Sequence, residues 1–315
     1  MLAQFALWEL RNPHPMLDLR FFKRKSFTGG AAAITLVFFG MFGMFFLLTQ
    51  YLQFVHGWTP LGAGVRLLPF AGTMMIVAPS SARIAERVGT KRTVATGLAI
   101  AALGFVLVSR LQPNSSYGFL IVGMCVLALG MALTMPPSTA SILSSLPMGK
   151  QGVGSAMNDT TRELGGALGV AALGSVFATR YTSALGSLQQ LPAAARQAAR
   201  SSVGGALGVA SRMPGATGKA FAAAAKHAFT QGQSTAYLLA AGVVLGASVL
   251  IWRIMPVELN YDYQLEDESQ VAADLGPLAP LGPPPAEGAD EELVDNGQNG
   301  GRRGQKAGQG AGSLR

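Results

Sequence analysis

The sequence predicts an all-α membrane protein, a bundle of six helical spans, and three observations carry that reading. Half of the 315 residues are hydrophobic (50%) and only 13% are charged, too few for the surface of a soluble domain. The apolar residues fall into long runs, most of them near or above the roughly 20 residues that cross a hydrocarbon core about 30 Å thick. The basic residues cluster in the short connections, as topology is written in membrane proteins.

The connection that orients the rest is residues 82–92 (ARIAERVGTKR), in which Arg83, Arg87, Lys91 and Arg92 accompany a single acid, Glu86. Residues 60–82 carry one charge, Arg66, and residues 93–109 none, so a short polar hairpin joins two spans here. Its basic excess places it on the cytoplasmic side. Residues 11–25 hold Arg11, Arg20, Lys23, Arg24 and Lys25 against Asp18, a second cytoplasmic basic segment.

The first span is predicted over residues 27–54, with Gly29, Gly30, Gly40 and Gly43 permitting close helix contact. Thr59 is placed to cap the next helix and Pro60 to occupy its first position, where a missing N–H is harmless, while Trp58 suits the membrane interface. The second span covers residues 60–82, with kinks expected at Pro69 and Pro79. The third covers 93–109 and the fourth 117–146, through Pro136 and Pro137. For the fifth, the uncharged run 164–179 is only about 24 Å long as a helix. Extending it to residues 155–180 draws Asp159, Arg162 and Glu163 to the inner leaflet. The sixth span is 234–254; residues 181–233 read as a long outer loop with short surface helices and five basic residues, Arg196, Arg200, Arg212, Lys219 and Lys226.

Charge divides the chain into 1–25, a juxtamembrane segment, 26–257, the bundle, and 258–315, a tail. Residues 1–257 hold 20 basic and 5 acidic residues, whereas 258–315 hold 4 and 11, so the tail is expected to be disordered and cytoplasmic. Both termini are then cytoplasmic. The basic residues are dispersed between spans, which argues against a nucleic-acid partner and for the lipid bilayer. The first ten residues lack a basic leader, so no signal peptide is expected. Cys125 lies in an apolar run and is read as packing, and His14, His56 and His227 are too far apart for a metal site. No nucleophile triad or phosphate loop marks an enzyme.

Several of these stretches resemble a known family. Residues 82–92 are similar to the G-x-L-A-D-R-x-G-R-K loop of the major facilitator superfamily, with Glu86 at the acid, then Arg87, Gly89 and Lys91; Ala82 and Thr90 depart from it. Residues 15–27 (PMLDLRFFKRKSF), 48–53 (LTQYLQ), 64–69 (GVRLLP) and 154–169 (GSAMNDTTRELGGALG) resemble the C-terminal part of fourteen-span drug:proton antiporters. The resemblance covers about residues 8–256 and implies the C-terminal six-span half of such a transporter, with residues 1–10 similar to the end of a preceding span. It implies alternating access in a cell inner or plasma membrane, a hydrophobic or cationic small-molecule substrate, and an N-terminal half as partner. No cofactor is implied beyond the proton motive force, and the family's proton-carrying acids belong to the other half. A membrane protein that does not transport, an assembly partner, and a facilitator for another substrate are the alternatives.

The candidate residues follow. The resemblance implies that Glu86 is the latch of the cytoplasmic loop, facing the start of the fifth helix, with Arg87, Gly89, Lys91 and Arg92 around it; a solvated loop carboxylate is the plainer role of Glu86, and topology anchoring that of the basic residues. Asp159, Arg162 and Glu163, at i, i+3 and i+4, project to one side as an inner-mouth charge cluster. Arg66, about 9 Å inside the second span by helical rise, either faces the cavity or snorkels outward. Gln50 and Gln53 are cavity candidates, and Gly165 and Gly169 form a small-residue packing face.

Overall fold

The computed structural model describes residues 19–147, 150–186 and 188–255; the expected tail and the segment resembling a preceding span lie outside them, as do His14 and Asp18. After a 3-10 turn, Leu19–Lys23, come nine α-helices among the described residues and no strand: α1 (Lys25–Gln50, continued by a π turn, Tyr51–Val55), α2 (Pro60–Arg66), α3 (Leu68–Val88), α4 (Thr90–Ser109), α5 (Tyr117–Ser144), α6 (Gln151–Ala184), α7 (Ala193–Ser201), α8 (Val203–Ala210) and α9 (Gly215–Ile254). Five stretches are long and apolar enough to cross a membrane: Lys25–Val55, Pro60–Val88, Thr90–Ser109, Tyr117–Ser144 and Gly215–Ile254. The 34-residue α6 is long enough, but its polar first half keeps it out of that group.

The long helices run between two ends, one carrying Gly89 and the other Trp58. Local chemistry starts and stops them as the sequence predicts in several places. The Thr59 hydroxyl accepts from Gly62 N at 3.1 Å with Pro60 at the first position, and Ser116 caps α5 by accepting from Phe119 N at 3.3 Å. The hairpin expected over residues 82–92 is instead a single residue: α3 runs to Val88, α4 starts at Thr90, and Gly89 turns the corner at φ 95° and ψ 140°. Helix propensity carries both helices through the charged residues because a glycine alone supplies the required dihedrals. The kinks also move. The second span breaks at Leu67, leaving Pro69 in the first turn of α3, whereas Pro136 and Pro137 sit inside a continuous α5.

The largest departure is at the two ends of residues 181–233, expected as a long loop with short surface helices: α7 and α8 are such helices, but the long helices on either side reach further into the stretch. Helix α6 continues to Ala184, and α9 starts at Gly215 and runs 40 residues, about 60 Å at 1.5 Å per residue. The Ala-rich stretch 220–225 favours helix, and Lys226 Nζ donates to the Val55 carbonyl at 2.7 Å, fastening α9 to the end of α1. Tyr181 Oη, stacked with Phe177, donates to the Ala199 carbonyl at 2.9 Å and so ties α6 to α7.

In the bundle α1 packs against α5, α6 and α9, α4 against α5 and α9, and α3 against α5. Two seams bring backbones together. A Cβ on Gly165 or Gly169 would fall on the carbonyl oxygens of Thr35 or Phe39 of α1, and one on Gly130 of α5 would fall on Ala101 N of α4. Such approach maximises van der Waals contact where lipid offers helices no hydrophobic gain. Buried hydroxyls pin the rest: Tyr237 Oη donates to Met44 O at 3.1 Å and Ser248 Oγ to Ala95 O at 2.7 Å.

Candidate functional site

At the Trp58 end the side chains build one aromatic and cationic cluster. Arg66, the last residue of α2, turns its guanidinium back toward the helix start: Nη1 donates to Gly62 O at 3.0 Å, and the group lies 4.0 Å over the Trp58 ring and 5.8 Å from the Tyr117 ring centroid. A backbone carbonyl and two aromatic faces therefore take the charge. Tyr117 Oη donates to the Arg66 carbonyl at 3.1 Å, so α5 holds the break between α2 and α3. Trp58 stacks on His56, with centroids 4.6 Å apart. The Tyr51 hydroxyl donates to Gln112 O at 2.7 Å and sits 3.0 Å from His56 Nε2, where its free lone pair suits an N–H on that nitrogen.

Burial, then the positive charges of Lys226 and Arg66, hold the His56 imidazole below its ordinary 6.5. Folding lowers this pKa, so the unfolded chain takes the proton first. The neutral ring's contribution is fully present above about 6.5 and is lost as pH falls through the lowered folded value. Acidifying from about pH 7.5 to about pH 5 is expected to lower the thermal midpoint of the purified chain more than that of His56→Gln; equal drops would remove His56 as the cause.

Gln50 Nε2 donates to its own helix at Phe46 O, 3.1 Å away, and Gln53 is half-buried in the π turn without a side-chain hydrogen bond to a described residue. At the Gly89 end, Glu86, Arg87 and Arg92 are exposed, and Glu86 forms no ion pair or hydrogen bond with a described residue. Lys91 lies 5.8 Å from the Trp252 ring centroid of α9. The α6 cluster is divided: Asp159 and Arg162 pair at 3.8 Å, Arg162 also lies 5.4 Å from the Phe38 ring centroid, and Glu163 stays exposed without a partner among the described residues. With Asp159 exposed and Arg162 half-buried at a 3.8 Å separation, such a solvent-reached pair contributes at most about 1 kcal/mol. Gly165 and Gly169 form the α6 side of the seam with α1.

Two residues that the sequence left unmarked act at a distance. Arg24, placed among the topology charges, donates to the Ser145 carbonyl at the C-terminus of α5. Lys226, counted as a loop cation, caps the end of α1. No local pattern gives either of these, since each depends on which helix lies opposite. Among the described residues no three His, Cys, Asp or Glu gather as metal ligands.

An all-α bundle of long apolar helices, tied by glycine seams and interfacial aromatic and cationic contacts, defines a polytopic membrane protein. Residues 5–170 match the model of the Major Facilitator Superfamily, and the chain belongs to that superfamily of membrane transporters. It is 34% identical over 249 residues to the multidrug efflux pump LfrA of Mycolicibacterium smegmatis, covering 79% of this chain and 49% of the relative. It is 33% identical over 178 residues to the tetracenomycin C resistance and export protein of Streptomyces glaucescens, 56% of this chain and 33% of that protein. With the riboflavin transporter RibZ of Clostridioides difficile it shares 29% over 177 residues, 56% and 39% of the two chains. The chain thus spans half or less of the length of these relatives.

Proposed function

We propose that this chain is the C-terminal half of a proton-coupled efflux transporter for hydrophobic or cationic small molecules. Its six spans are α1, α2 with α3, α4, α5, α6 and α9, set in the plasma membrane with the Gly89 end and both termini in the cytoplasm. One observation carries the need for a second bundle. The most apolar stretch of span Pro60–Val88 is only 11% buried, against 61% for Lys25–Val55 and for Thr90–Ser109. Lipid covers part of this surface, and an N-terminal bundle rocking against the rest would form the other wall of a midplane path. Exposed Glu86 is then positioned to meet the start of α6 in one state and release it in the other. Efflux rests on two relatives, the multidrug efflux pump and the resistance and export protein.

The test is to express the chain alone and with an eight-span N-terminal partner in an efflux-deficient host, following energy-dependent loss of a fluorescent cationic dye. The pair is expected to extrude dye, the chain alone to retain it, and a protonophore to abolish extrusion. Dye retained by an inserted pair would overturn the drug-efflux reading. It would favour a different substrate on the same fold, as the name of the riboflavin transporter exemplifies.

A further inference from the structure

A cavity of about 1030 Å³ opens at the Trp58 end among the ends of α4, α5 and α6 and the middle of α9; Gln112, whose carbonyl accepts from Tyr51, is on its wall, while Arg66 and the residues of α3 are not. Its wall carries Arg110, Arg180 and His227 together with Thr230, Gln231 and Ser234. The two guanidinium groups form no ion pair or hydrogen bond with a described residue. The carboxylates among the described residues, Glu86, Asp159 and Glu163, belong to the last turn of α3 and the first half of α6, toward the Gly89 end. Two permanent cations, an imidazole and neutral donors therefore share one concavity with no counter-charge from those residues.

We propose that this cavity binds a phosphate-bearing ligand, with Arg110 and Arg180 on the oxyanion and His227 and Ser234 completing the ring of donors, while the Thr230 hydroxyl, which donates to the His227 carbonyl at 3.0 Å, holds the wall of α9. Guanidinium forks match phosphate oxygens in pairs, and several donors spread around a hollow suit a tetrahedral anion better than a planar carboxylate. The place fits as well. Arg110 directly follows α4 and Arg180 lies in the last turns of α6, at the ends of long apolar helices, where membrane phosphodiesters sit. Phe119 on the same wall is 37% exposed and offers an apolar side to whatever the phosphate esterifies. A lipid headgroup and a soluble phosphate ester share this chemistry, and the experiment separates them.

The full chain, purified in a neutral detergent, would be titrated calorimetrically with inorganic phosphate, with a short-chain phosphatidylglycerol below its micellar concentration, and with the diacylglycerol of the same chain length. At least one phosphate-bearing probe is expected to bind, and Arg110→Gln with Arg180→Gln to weaken it by about tenfold or more. Arg110→Lys with Arg180→Lys, which keeps both charges, is expected to retain more of the binding, and His227→Gln to give a smaller loss if the Gln pair does not fold. Preference for phosphatidylglycerol identifies a lipid site, and equal or better binding of inorganic phosphate a soluble one. The proposal fails if neither phosphate probe binds, if the diacylglycerol binds as tightly as phosphatidylglycerol, or if Arg196→Gln, one charge removed outside the cavity, weakens binding as much as the Gln pair.

Discussion

Gly169→Leu is expected to leave little folded protein, with a loss of at least about 3 kcal/mol in detergent-solubilised chain, because the new Cβ alone occupies the position of the Phe39 carbonyl oxygen. Over-packing of a core ordinarily costs about 1–3 kcal/mol, since neighbouring side chains yield. Here the obstacle is backbone, and relief requires α1 and α6 to separate along a seam that also holds Gly165 and, from the α1 side, Gly43 against Leu173. Gly174→Leu on the same helix is the control: its Cβ meets only Phe46 Cε1 at 3.6 Å, so a cost within about 1 kcal/mol is expected. Gly242→Leu, with nothing within 4 Å, should be neutral or slightly stabilising as a helix interior loses a glycine. Gel filtration with denaturant unfolding would decide. Equal effects at 169 and 174 would mean that the seam does not hold the bundle.

Gly89→Val is expected to be the second most damaging change, though local in its reach. At φ 95° and ψ 140° the residue occupies a region closed to side chains with a Cβ, worth about 1–3 kcal/mol, and a β-branched side chain lies at the upper end. The corner between α3 and α4 must then open, freeing the helical backbone at Lys91 and at the already exposed Arg87 and Arg92 for trypsin. Cleavage there is expected to rise about tenfold or more, in line with 1.4 kcal/mol per decade of open population. Gly72→Ala, inside α3 with nothing within 4 Å, should leave the cleavage rate unchanged. If Gly89→Val cuts no faster than the parent chain, the corner tolerates a side chain and the strain argument is wrong.

What could be read from the chain was what neighbours along the chain control. Charge-free runs set the long helices and the Thr59–Pro60 pair set the start of α2, because hydropathy and capping act within a few residues. Local rules also misjudged two stretches: 181–233 was rich enough in Gly, Ala and Ser to pass for loop, and 82–92 charged enough to pass for hairpin. In the first, helix propensity combines with a distant tie, Lys226 to Val55; in the second, one glycine supplies the turn and leaves the charged residues to the two helices.

The candidate site was legible as residue types and illegible as partnerships. Asp159, Arg162 and Glu163 stand where their spacing put them, yet only the first two pair, since Glu163 points to no described cation. Arg66 was marked by its charge alone; its direction was set by Trp58 across the turn and by Tyr117 from α5, 51 residues away. Thus the sequence by itself determined the all-α class, the apolar spans and the local turn and cap chemistry. Only the tertiary structure decided which glycines touch backbone, which cations cap which helices, and that Arg110, Arg180 and His227 share one cavity. The physical reason is that spans are chosen by solvation and local dihedrals, whereas contacts between helices depend on rotation and crossing, set jointly by every side chain in the seam.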